Sequence, residues 1–250
     1  MNPIIQLKKE LILLTLLLSI MITGFSQQLV LSGKITFERK ENLHKQFTGN
    51  DNWSEEYIKR IPKYRVDLFQ LTFNTHQSLY KILEEAEGPF SNWWRTAAFN
   101  TVSLDLDKNR YKAQKTIYER DYQIEDSIPQ YQWKLLGEYR EIAGYNCRKA
   151  STIVMDSLYI IVFFSDEIPV SAGPESFTGL PGMILGVVIP RLNYTYFATK
   201  IETQIVPEAD FTVKPGKFKK TTLKDYSVEL KKALSDWGEE ATKTLWKANL

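Results

Sequence analysis

Residues 132–164 read QWKLLGEYREIAGYNCRKASTIVMDSLYIIVFF, and this stretch decides the fold. Gln132 to Glu141 predicts a strand, and Ala143-Gly144 a tight turn. Tyr145 to Val154 returns, Asp156-Ser157 turns again, and Leu158 to Phe164 is a near-continuous apolar run. A run of that kind predicts a strand covered on both faces. Three strands joined by short turns leave no room for crossover helices, so the local architecture is antiparallel.

The same rhythm continues in both directions. Downstream, Met183 to Ile189 is a further apolar strand, Pro190 to Asn193 turns it, and Tyr194 to Thr203 returns with alternating aromatics. Upstream, Val30 to Arg39 places Leu31, Ile35 and Phe37 among polar residues. Tyr64 to Phe73 alternates Val66, Leu68 and Leu71; Asn74-Thr-His turns it and Ser78 to Leu83 returns. Asn50 to Ile61 is polar, with Ser54 as a cap for a short helix. Glu84 to Trp94 reads as loop, with Gly88-Pro89 inside it and Trp93-Trp94 at its end. Phe99 to Leu106 and Tyr111 to Tyr118 are strands about an Asp107 to Arg110 turn, and residues 124–129 close this group. Turn signals every 8–12 residues or so predict a mainly β chain. The expected form is an antiparallel curled sheet or half-open barrel.

Pro207 to Lys220 is rich in Pro and Lys and reads as extended. Beyond it, Tyr226, Leu230, Leu234, Trp237, Ala241 and Leu245 recur on one helical stripe. Thr222 to Asp225 offers a capping-box start. The expectation is one amphipathic helix over about 222–247, packed on the sheet. The Lys214, Lys217, Lys219 and Lys220 cluster reads as a solvated segment before it reads as a membrane patch.

The N-terminus has a three-part export layout. Lys8 and Lys9 precede the apolar run Leu11 to Thr23, and Gly24 and Ser26 sit where a signal peptidase prefers small residues. The run is shorter than the ~20 residues of a membrane span. Residues 1–26 are therefore expected to be a cleaved signal peptide, and 27–250 a single β-rich domain without a transmembrane segment. No cysteine follows the run, so no lipid attachment is expected. The destination is the periplasm or the medium.

Composition narrows the function classes. The formal charge of +2 falls to +1 without Lys8, Lys9 and Glu10, which argues against a nucleic-acid binder. The single cysteine, Cys147, has no partner for an internal disulfide and reads as a small buried hydrophobe. His44 and His76 are far apart and lack neighbouring ligands for zinc, so no metal or cofactor is expected. No familiar hydrolase, metalloprotease or redox motif is present.

The most distinctive segment is Asp166 to Pro174 followed by Phe177 to Leu185. It carries Pro169, Gly173, Pro174 and the hexad Gly179, Leu180, Pro181, Gly182, Met183, Ile184. Pro181 fixes φ, the glycines permit close backbone approach, and the apolar members can plug a barrel end. A structural turn is the first reading and an interface the second. No phosphate loop is implied, since no Lys-Ser/Thr follows the glycines.

With residues 124–126, Trp133 and Ile142 to Ala150, these segments resemble the GLPGLI family of exported proteins from diderm bacteria. Met183 stands where the family name has Leu. The resemblance covers roughly residues 30–205 and implies an exported envelope protein. It also implies a connection, for some members, with TonB-dependent outer-membrane receptors, and no particular chemistry. The expected function is a non-catalytic binding or accessory protein for a hydrophobic ligand or an outer-membrane partner. The alternative is a hydrolase of unfamiliar type using Asp126, Asp166 and Glu167.

Overall fold

The computed structural model describes residues 29–46, 52–87, 96–118 and 120–250. The expected signal peptide lies outside the described residues, as do Gly88-Pro89 and Trp93-Trp94.

The chain is mainly β. Its strands are β1 (Gly33–Asn42), β2 (Tyr64–Phe73), β3 (Gln77–Glu84), β4 (Thr101–Asp105), β5 (Arg110–Ile117) and β6 (Arg120–Ser127). They continue as β7 (Lys134–Ile142), β8 (Tyr145–Val154), β9 (Leu158–Ser165), β10 (Met183–Ile189), β11 (Tyr194–Thr203) and β12 (Lys219–Thr221). All belong to one 12-stranded sheet in the order β12-β6-β5-β4-β3-β2-β1-β11-β10-β9-β8-β7. Every strand pairing among the described residues is antiparallel except β12 with β6. The sheet curls but does not close, since β12 and β7 are its two edges.

The sheet's inner face is the core. Ile35 and Phe37 of β1, Phe69, Leu71 and Phe73 of β2, and Tyr111 and Ala113 of β5 are fully or almost fully buried. Each large apolar side chain removed from water contributes about 1.5–3 kcal/mol. In β2 the inward set is the odd-numbered one, so Val66 and Leu68 lie on the outer, half-buried face. The apolar run of β9 is fully covered on one face and partly on the other. Leu158, Ile160 and Val162 are buried, whereas Tyr159 is exposed and Ile161 and Phe163 are half-buried. The partial cover comes from β11 and from the edge strand β7, which curls back over this face: Phe163 lies 6.3 Å from Phe197, and the Arg140 guanidinium lies 5.8 Å from the Phe163 ring and 4.5 Å from the Phe197 ring.

Two segments line the concave side. The first is the connection from β9 to β10, residues 166–182, in which Ile168, Ala172 and Phe177 have no exposed surface. The second is the C-terminus. In place of one helix over 222–247 there are two, α2 (Leu223–Ala233) and α3 (Gly238–Asn249), while α1 (Asn52–Arg60) lies upstream. Ser54 falls inside α1, not before it. The break between α2 and α3 follows from Ser235-Asp-Trp-Gly238: weak helix formers, then a glycine at φ 56. It leaves Tyr226, Leu230 and Leu234 buried as the stripe predicts, but Trp237 is 47% exposed. The Thr222 hydroxyl accepts from the Asp225 N–H at 3.1 Å, which caps α2. Asp126 Oδ2 accepts from the Leu223 N–H at 3.0 Å.

The edge strand β7 is mostly exposed and carries Lys134, Glu138, Arg140 and Glu141. Its register against β8 shifts between Leu135 and Tyr139.

Close approach is decisive at Gly182, where a Cβ would overlap the Ser165 carbonyl of the neighbouring strand. Gly137 on β7 has open space around it. Gly182→Ala is therefore expected to destabilise the fold by roughly 2–4 kcal/mol, and Gly137→Ala to change it by less than about 0.5 kcal/mol. Urea unfolding midpoints of the two variants check this.

Candidate ligand-binding cleft

Strand β6, whose polar composition hides it in the sequence, builds one side of an apolar cleft. Strands β5 and β6 join through a two-residue connection, and Tyr118 in it has φ 52. A bulky residue in the left-handed region is strained, by about 1–3 kcal/mol. Helix α2 crosses β6: the Tyr122 and Tyr226 rings meet edge-on at 5.2 Å, and the Tyr122 hydroxyl donates to Glu229 at 3.1 Å.

Between this hairpin and the end of α2 lies a cleft of about 320 Å³. Its lining is Ile117, Tyr118, Tyr122, Leu230, Ala233, Leu234 and Trp237, with Arg120 as the charged member. The Trp237 ring leans on Tyr118 with centroids 5.2 Å apart, so an exposed indole and a strained tyrosine form one wall. At the rim, Lys219 Nζ donates to Glu229 at 2.5 Å, and Arg120 stands 3.7 Å from the same carboxylate. The hydrogen bond from Lys219, seconded by that from Tyr122, holds the Glu229 carboxyl below its ordinary range despite slight desolvation.

The Gly-Leu-Pro-Gly segment lies elsewhere. Gly173, Pro174, Leu180, Gly182, Met183 and Ile184 are buried, and only Pro169, Gly179 and Pro181 are exposed. Gly179 has φ 91, and its N–H donates to Ser171 Oγ at 2.8 Å. Trp133 Nε1 donates to the Thr178 carbonyl at 2.8 Å, and Tyr131 packs on Phe177 at 5.4 Å. The segment plugs the curl with apolar side chains and pins itself with polar ones.

The three carboxylates singled out in the sequence are not brought together. Asp126 sits on β6 and caps α2. Asp166 and Glu167 follow β9, and β5, β4, β3, β2, β1, β11 and β10 lie between those strands in the sheet. Glu167 accepts from the Asn146 N–H at 3.3 Å. Cys147 is buried, and desolvation, with the Glu167 charge adding, pushes its thiol up to about 12. His44 Nε2 lies 3.1 Å from the Ile61 carbonyl, and exposed His76 pairs with Asp107 at 2.8 Å.

Sequence reading passed over a set of buried polar groups on the inner face. Arg39 and Asp67 form an ion pair at 2.8 Å with side chains 4% and 2% exposed. Glu175, at φ 54, accepts from Asn100 Nδ2 at 3.0 Å. Lys115 is 1% exposed and donates to the Ala248 carbonyl at 3.1 Å, as does the Tyr226 hydroxyl. A helix end leaves unsatisfied carbonyls and a partial negative charge, so a buried ammonium there is well placed. The signal was strand phase: Tyr111, Ala113, Lys115 and Ile117 all point inward.

Burial lowers the Lys115 pKa to about 8, with Glu175 opposing. Between about pH 8 and 10.4 the unfolded chain then holds a proton that the native chain has released. Stability contributed by Lys115 therefore rises with pH across that window, by an amount on the order of 3 kcal/mol in total. Above about pH 9 the buried Cys147 thiol, and above pH 10 the buried tyrosines, oppose this trend, since desolvation raises them all. The stability of the parent chain relative to Lys115→Met is therefore expected to rise between pH 7.5 and 9.5, measured by urea unfolding of both chains at each pH.

A family profile described as N-glycanase peptide, N-terminal domain matches residues 92–225. No curated protein matches the chain. Two crystal structures of PNGF-II share the fold, each with a TM-score of 0.50. One is 14% identical over 87% of this chain and the other 16% identical over 80%. This chain spans only 33% of each of those chains. The matched segment contains β4 to β11, the loop that plugs the curl and the first turn of α2, and on that match the chain belongs to the family of the N-glycanase peptide, N-terminal domain.

Proposed function

We propose that the chain is an exported, non-catalytic binding or accessory protein of the GLPGLI type, and that the cleft between the β5–β6 hairpin and α2 is its ligand seat. The observation that carries this reading is the wall formed by Tyr118 and Trp237. The half-exposed indole leaning on the Tyr118 ring leaves apolar surface in solvent, and apolar surface of this kind marks ligand sites. The cleft's volume is at the lower end for a small-molecule site, and its lining is apolar with few polar groups, as such sites are. The ligand is hydrophobic over most of its surface.

The separation of Asp126, Asp166 and Glu167 supports the non-catalytic side of this reading, since they offer no acid/base pair of the kind a hydrolase uses. A second reading, docking to an outer-membrane receptor, draws on the outer face of β8 and β9. There Ile153 and Tyr159 pair directly and are 63% and 40% exposed.

Native mass spectrometry of the protein purified gently from its own envelope tests both. A retained small apolar molecule that is lost in Ala233→Trp, which fills the cleft from an exposed helix position, supports the cleft. Affinity for that molecule is expected to fall at least about tenfold in Trp237→Ala. A retained protein subunit lost on Ile153→Lys would move the function to the outer face, and a bare chain under crosslinking would remove both readings.

A further inference from the structure

Resting on the cleft reading, we infer that the ligand is a single-chain carboxylate amphiphile, a free fatty acid, with its chain in the cleft and its carboxylate on Arg120. The assignment comes from the distribution of charge around the cleft. Inside, Ile117, Leu230 and Leu234 make an aliphatic floor that offers no hydrogen bond. Among the described lining residues Arg120 is the only charged one. Its side chain is 72% exposed, and its contact with Glu229 is long, at 3.7 Å.

Glu229 itself is already served. Lys219 and the Tyr122 hydroxyl each donate to one of its oxygens, so the carboxylate is neutralised before a ligand arrives. A cationic ligand would find no unpaired anion there. An anionic headgroup finds a guanidinium with most of its fork in solvent, suited to a bidentate carboxylate. On the β12 side of the rim the nearby charge has the same sign. Residues 214–220 carry Lys214, Lys217, Lys219 and Lys220 and no acidic residue. That segment is held beside the hairpin by the Gln114 side chain on the Lys214 carbonyl at 2.9 Å and by the pairing of β12 with β6. Clustered cations of this kind steer an anion toward the mouth. The half-exposed Trp237 ring then closes over the chain's first carbons, and its fluorescence reports the event.

Decanoate below its micelle concentration and 1-decanol below its solubility limit separate the headgroup from the chain. Titrations of the full chain are read by calorimetry and by the fluorescence lost in Trp237→Phe. Decanoate is expected to bind about 10- to 100-fold more tightly than decanol, the worth of one charge-assisted contact. Arg120→Gln removes that preference and leaves decanol unchanged, and Ala233→Trp weakens both. Equal binding of the two ligands, or a preference that survives Arg120→Gln, overturns the headgroup assignment and leaves the cleft standing. No binding of either ligand, or binding untouched by Ala233→Trp, overturns the cleft reading as well.

Discussion

An open sheet with one apolar face must have that face covered, and everything else in this chain follows from how the covering is done. A closed barrel would bury its lining by curvature alone. Here the chain folds residues 166–182 and its two C-terminal helices into the curl, and so brings polar backbone into a dry interior. Buried peptide groups need partners. Trp133, Ser171, Ser176 and Lys115 supply them, one carbonyl or N–H at a time. Ser176 Oγ donates to the Leu250 carbonyl at 3.2 Å, which ties the plugging loop to the end of α3. The buried Lys115 and Glu175 are consequences of covering an apolar face with chain instead of with more sheet.

The covering has a seam. Helix α2 seals β6 as far as Leu234, and then the helix breaks. At the break the hairpin and the helix end part, and the apolar cleft opens between them. The loop with the conspicuous glycines is mostly interior. Conspicuous sequence and accessible chemistry thus sit in different places: one holds the covering down, the other marks where it stops.

Much of the fold was legible because the turns are chemically plain. Asp107 to Arg110, Ala143-Gly144 and Asp156-Ser157 carry residues that favour tight turns, and β5, β8 and β9 begin directly at or after them. The strand β6 was hidden because Arg-Asp-Tyr-Gln-Ile-Glu-Asp-Ser is polar and its turn lacks glycine; it is placed by pairing with β5, which is a tertiary fact. The wrong phase in β2 has a similar origin. Val66 and Leu68 are apolar, but the inner face takes Arg65, Asp67, Phe69, Leu71 and Phe73, because Arg39 opposite Asp67 makes a charged pair tolerable inside. Sequence patterns read charge as outward, and this sheet turns several charges inward. The cleft was legible only in outline, as a space between sheet and helix. Its wall depends on the helix break at residues 234–237 and on the backbone of Tyr118, neither of which a stripe of apolar positions reveals.

The edges of the sheet complete the picture. A sheet that does not close ends in rows of unpaired backbone donors and acceptors, each a template for a strand from another molecule. On one side the chain ends its sheet with β12, only three residues long. On the other, β7 presents charges of both signs and a register irregularity that breaks the flat row of amides. Strand-to-strand growth into fibres therefore has no good starting surface at either end. A wide, unclosed sheet can in this way stand at high concentration without becoming a nucleus for amyloid.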